Sequence, residues 1–83
     1  MAKITATYQE LGGRDAKKLA ATIVKKLRHQ RQLSQAELAR LCGRRQSYIS
    51  RIESAQQNIS LATLLEIVEA AGAELTIDLT EKS

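Results

Sequence analysis

Between Ser34 and Glu53 the sequence writes two helices that are too short to stand alone. Ser34-Gln35-Ala36-Glu37 fits a capping box, with the Ser34 hydroxyl taking a backbone N–H and Glu37, at the third helical position, reaching back. Ala36, Leu38, Ala39 and Leu41 supply the apolar face, and Gly43 ends the helix. A second stretch runs from about Arg45 to Glu53, with Ile49 and Ile52 spaced to point inward. Isolated helices shorter than about 12–15 residues are marginal in water, so each must be held by its neighbours. The small Ala39 permits close approach, and Gly43 permits a turn that a Cβ would strain. This is a helix-turn-helix unit, and it has to lean on something larger.

The flanking sequence supplies that support. Asp15 caps a long amphipathic helix from Ala16 to near Arg31, with Leu19, Ala20, Ile23, Val24 and Leu27 on one side and Lys17, Lys18, Lys25 and Lys26 on the other. A polar loop, Ser54 to Asn58, precedes Ser60, which caps a fourth helix over Leu61–Ala71. Leu64, Leu65, Ile67 and Val68 are its apolar residues, and Gly72 is its stop. Beyond Gly72 the period changes to two over Glu74–Thr80, which predicts a half-buried strand needing a partner. Lys3 to Tyr8 also alternates, as a short strand or a loose arm. Aromatic content is 2%, so the core must be aliphatic. The expected fold is mostly α: a four-to-five-helix domain with the helix-turn-helix over residues 14–72, an arm or short strand over 1–13, and a strand and tail over 73–83. A chain of 83 residues lies near the lower limit for a self-sufficient core, which favours pairing with a partner.

Charge divides the chain. From Arg14 to Arg51, eleven basic residues face two acids; from Glu53 onward, six acids face one lysine. A basic segment followed by an acidic one suits a protein that meets a polyanion with one part and something else with the other. Catalytic chemistry is missing from the pattern. Cys42, between Leu41 and Gly43 with no base nearby, reads as a small buried apolar residue, and His29 as an exposed helical one. There is no Ser/His/Asp arrangement, and Gly12-Gly13 lacks the context of a phosphate loop. No enzyme activity, cofactor or metal is expected. Scarce aromatics argue against a single-strand binder. The longest nearly apolar run, Leu19–Val24, is too short to cross a bilayer, so no membrane partner and a cytoplasmic location are expected.

The string Leu33-Ser34-Gln35-Ala36-Glu37-Leu38-Ala39, then Gly43, then Ser47-Tyr48-Ile49-Ser50-Arg51-Ile52-Glu53, then Asn58-Ile59-Ser60-Leu61-Ala62-Thr63-Leu64, resembles the phage-repressor-like (xenobiotic-response-element, Cro/CI) helix-turn-helix family. The resemblance covers roughly Ala16 to Gly72. It implies sequence-specific double-stranded DNA binding by a transcriptional repressor. It places Gln35 on the DNA backbone, Gln46 and Ser47 at base edges, and Ser50 and Arg51 further along the groove. Gln suits adenine N6 and N7, and Arg suits guanine O6 and N7. Arg44, Arg45 and Tyr48 flank this set, Tyr48 touching backbone or a thymine methyl, or merely packing. The resemblance also implies an architectural ion pair between Arg28 and Glu53. Three positions depart from the family: Arg44 for an apolar turn residue, Ala55 for the usual Gly, and Ile59 for a frequent Pro. Arg44 is expected to lay its stem on the core and its guanidinium in solvent or on phosphate.

A compact helical unit followed by one strand is also similar to HipB-type antitoxins, which repress their own operon and hold a kinase toxin. The reading is a homodimer on a palindromic operator, with Leu75, Ile77 and Leu79 as the dimerisation stripe and a kinase-like toxin as a possible further partner. Two pairings are open for that strand: antiparallel with the same strand of a second copy, or back onto Lys3–Tyr8 of its own chain. A restriction–modification controller, a phage-type repressor, or a toxin-neutralising module with little DNA binding are the alternative functions.

Overall fold

A computed structural model describes residues 2–7 and 15–78. The order is β1 (Ala2–Thr7), α1 (Ala16–Gln30), α2 (Gln35–Cys42), α3 (Gln46–Glu53), α4 (Leu61–Ala70) and β2 (Ala73–Asp78). Asp15 Oδ1 accepts the Lys17 and Lys18 N–H groups at 3.1 and 3.2 Å, which starts α1. At α2 the Glu37 N–H donates to Ser34 Oγ at 3.0 Å and the Ser34 N–H to Glu37 Oε1 at 2.9 Å, closing the capping box. That N–H holds the Glu37 carboxyl below its ordinary range. Ser60 Oγ accepts the Thr63 N–H at 3.0 Å and starts α4.

The core is aliphatic. Ile23, Val24 and Leu27 of α1 meet Leu38 of α2, Ile49 and Ile52 of α3, and Ile67 and Val68 of α4. α1 and α2 both pack on α3, so the shortest pair of helices rests on the longest. Gly43 adopts the left-handed conformation (φ 67°), and the Arg44 N–H reaches back to Ala39 O at 2.9 Å.

Among the large apolar residues of the helices, Leu41, Leu61 and Leu65 lie outside the core. Leu41 is 51% exposed and Leu65 38%. The inward stripe of α2 is Gln35, Leu38, Ala39 and Cys42, at positions i, i+3, i+4 and i+7, which leaves Leu41 off its edge and Ala36 exposed. Cys42 is half-buried rather than buried, its Sγ 4.0 Å from Ile67 O, and desolvation raises its thiol pKa.

The two strands pair within the chain, in parallel, with Ile4 opposite Leu75 and Ala6 opposite Ile77. The in-chain alternative for the C-terminal strand is therefore the pairing present, and it uses one edge of β2. Ile4 is fully buried, Leu75 half-buried and Ile77 41% exposed; Leu79 and Tyr8 lie outside the described residues. A parallel pair needs a long crossover, and here the four helices form it. On its other side β2 borders a groove of about 550 Å³ against α4, lined by Leu65, Val68, Glu69 and the strand residues Ala73–Thr76.

Candidate nucleic-acid interface

Ile49 and Ile52 fix the orientation of α3. Both are fully buried, three residues apart, so the opposite side of the helix must face outward. Gln46, Ser47, Ser50 and Arg51 are all exposed there, with Arg44 and Arg45 exposed on the approach to the helix. One short surface thus carries one amide and two hydroxyls of mixed donor–acceptor character beside three guanidinium groups. Such a surface can hydrogen-bond base edges and phosphates, and it offers no nucleophile–base pair.

The beginning of α3 differs from the other helix starts. Its N-cap is Arg45, and no side chain caps the helix. Asp15, Ser34 and Ser60 each accept backbone N–H groups where α1, α2 and α4 begin. An uncapped N-terminus carries unpaired donors and partial positive charge, and the arginines add to it.

Tyr48 sits half-buried in the first turn of α3 and packs against the core. The Arg44 guanidinium carbon lies 5.0 Å from the centroid of its ring, within cation–π range. Arg44 therefore has an aromatic support that spacing from a turn into a helix does not announce.

At its other end, α3 is tied down. Arg28 Nε donates to Glu53 Oε2 at 2.8 Å and its Nη2 to Oε1 at 3.0 Å, while Nη1 donates to Leu33 O at 3.1 Å. Glu53 is 6% exposed, and its hydrogen bonds raise the Arg28 pKa further. Gln35 Nε2 donates to the same carboxylate at 3.4 Å, so its amide faces Glu53 as well as the surface. The network joins the end of α1, the start of α2 and the end of α3. Every buried side-chain polar atom among the described residues has a partner.

Arg31 was not singled out by sequence. Its Nε donates to Ala71 O at 2.9 Å, closing the carbonyl end of α4 where Gly72 (φ 74°) turns the chain into β2. The partner is forty residues away, and only tertiary packing brings the two together.

Lys17, Lys18 and Lys25 are exposed on α1. Glu66, Glu69 and Glu74 are exposed on α4 and β2, away from the lysines of α1 in the chain, while α2 and α3 each carry one base and one acid. Among the described residues there is no group of three or more His, Cys, Asp or Glu suited to a metal ion, and no helix is long and apolar enough to cross a membrane.

Four helices, with Arg44 and Arg45 following the glycine turn and a short third helix that exposes a polar face, define a helix-turn-helix DNA-binding module. The helix-turn-helix domain family model matches residues 20–79, and the chain belongs to that family. No curated protein and no solved structure gives a significant match.

Proposed function

We propose that this chain is a sequence-specific repressor that binds a palindromic double-stranded operator as a homodimer. The observation that carries the reading is the open face of α3, where Gln46, Ser47, Ser50 and Arg51 are exposed together while Ile49 and Ile52 anchor the helix. In this reading α3 enters the major groove, with those four residues at base edges. Arg44 and Arg45 join from the turn, Tyr48 supports Arg44, and Gln35 meets the DNA backbone beside the start of α2. The Arg28–Glu53 pair holds the reading helix at its angle.

Dimerisation is assigned to the free edge of β2. Leu75 is half-buried and Ile77 exposed, and the exposed Leu65 of α4 lines the same groove as Leu75. A second copy of β2, running antiparallel across a two-fold axis, would satisfy the open backbone and cover this apolar strip. Two copies of α3 would then read half-sites about one helical turn apart.

Within this reading the protein is the autoregulating antitoxin of a toxin–antitoxin operon, acting in the cytoplasm, with a kinase-like toxin as its protein partner. The exposed acids of α4 and β2, set against the exposed lysines of α1, support a second surface for such a partner. A restriction–modification controller or a phage-type repressor would share the DNA chemistry but lack the toxin. A toxin-neutralising module without DNA function would not require an exposed polar reading face.

Selection of bound sites from random DNA, followed by measurement of chains per site, tests the proposal. The expected result is a two-fold symmetric site bound by two chains, with affinity falling steeply with salt. Failure to enrich any sequence would overturn the repressor reading. One chain on an asymmetric site would overturn the dimer. Co-expression with a kinase-like protein encoded beside the gene tests the antitoxin role, and unrelieved toxicity would remove it.

A further inference from the structure

We propose that Arg44 and Tyr48 act as one base-reading unit, in which Arg44 takes a guanine and Tyr48 holds the guanidinium plane in place; this rests on the DNA-reading function proposed above. Arg44 lies in the turn, one residue before the N-cap of α3. Helix-turn-helix proteins meet base edges at that end of the helix. The Tyr48 ring beneath it packs against the core, so the support is itself held.

The stack leaves particular atoms free. The guanidinium carbon lies over the ring, 5.0 Å from its centroid, so the ring borders Arg44 on one side. Its N–H groups lie in the plane, and no carboxylate among the described residues takes them. Other arginines are committed differently. Arg28 is spent on Glu53, and Arg31 on the end of α4. Arg40, Arg45 and Arg51 are exposed without a ring beneath them among the described residues.

Chemistry decides what such a group reads. A phosphate accepts charge from many directions, so a mobile cation serves it. The O6 and N7 atoms of guanine lie in one plane and require two parallel N–H bonds, so a guanidinium with a fixed plane matches them. Holding the side chain before DNA arrives also reduces the freedom lost on binding. Arg44 is thus assigned as a specificity residue outside the helical face that reads the other bases, and Tyr48 as its positioning residue.

Random-site selection and anisotropy titrations on the wild type, Arg44→Lys, Tyr48→Leu and Tyr48→Phe test the assignment, with circular-dichroism melts to verify folding. The wild type should select a guanine in each half-site that Arg44→Lys no longer selects. Lysine keeps the charge but not the fork, so the salt slope should barely change while affinity for the wild-type site falls about ten- to hundred-fold. Tyr48→Leu should weaken the same preference, and Tyr48→Phe, which keeps a ring, should retain it. If Arg44→Lys selects and binds the wild-type site unchanged, Arg44 is a phosphate contact and the assignment fails while the DNA-reading function stands. A wild type that selects no sequence overturns both.

Discussion

α2 and α3 are both eight residues long and stand side by side, yet they begin in opposite ways. α2 starts with every advantage a helix can have: Ser34 and Glu37 exchange bonds with the backbone, and the acid sits where the helix dipole favours it. α3 starts on Arg45, with no side-chain cap and a positive charge against the positive end of its dipole. The difference teaches where local stability has been left unclaimed. α2 is closed because its job is to support. α3 is open at its start and secured at its end by Glu53, which leaves its N-terminal donors and arginines available to a polyanion.

The largest test strikes the secured end. Arg28→Ala leaves Glu53 buried without its bidentate partner, and stability should fall by about 3 kcal/mol. Denaturant unfolding measures it; a loss under about 1 kcal/mol would mean that α3 is held by packing alone. The open face should behave in reverse. Gln46→Ala and Arg51→Ala should each cost roughly 1–3 kcal/mol in operator binding and relax base preference, with stability changed by less than about 0.5 kcal/mol. Variants that bind cognate and scrambled DNA as the wild type does would remove these residues from base reading.

Next come the two helix starts. Ser34→Ala should lower stability by about 1 kcal/mol, and Arg45→Ser should raise it by a comparable amount while weakening DNA binding. If both changes shift stability in the same direction, the contrast between the helices is wrong. Acid adds a signature. Glu37 titrates below its ordinary value of 4.5 because the Ser34 N–H and hydroxyl favour its charged form. A depressed carboxyl pKa stabilises the fold above the unfolded value and loses that contribution as pH falls through the folded one. A pH series of melts should show this loss in the wild type, with a smaller loss in Ser34→Ala.

The smallest effect concerns how α3 stops. Ala55 has φ 61°, and the N–H groups of Ala55 and Gln56 bond back to Ile52 O and Arg51 O at 3.1 and 2.9 Å. A left-handed alanine is strained by roughly 1–2 kcal/mol, part of which glycine loses to unfolded-state entropy. Ala55→Gly should therefore stabilise by about 0.5 kcal/mol without affecting DNA binding. A lower melting temperature would count against the strain.

Local patterns carried most of the fold. The helices follow from caps and from aliphatic residues at helical spacing, and the outward face of α3 follows from Ile49 and Ile52 alone. The packed stripe is narrower than the apolar count: Leu41, expected on the apolar face of α2, and Leu65 of α4 both lie beyond the packed rows. Alternation around Leu75 marks a strand without naming its partner, since both candidate pairings satisfy the same pattern. The parallel register on β1 depends on how the helices bring the two ends together. Likewise, the Arg31 bond to Ala71 and the Arg44 stack on Tyr48 join elements that no sequence period links. In the candidate site, residue types suggested what could be bound, while Gln35 turned toward Glu53 shows that an exposed-looking amide is partly engaged in the fold.

The parallel pairing of β1 and β2 also has a temporal side. Ala2 is matched with Ala73, so β1 leaves the ribosome long before its partner exists. At roughly 5–20 residues per second, several seconds of synthesis separate the two strands, far longer than helices need to form. The helices between them have time to assemble first, while Ile4 waits for the opposite strand. The sheet is then a late fastening, completed only after the bundle it spans has been built.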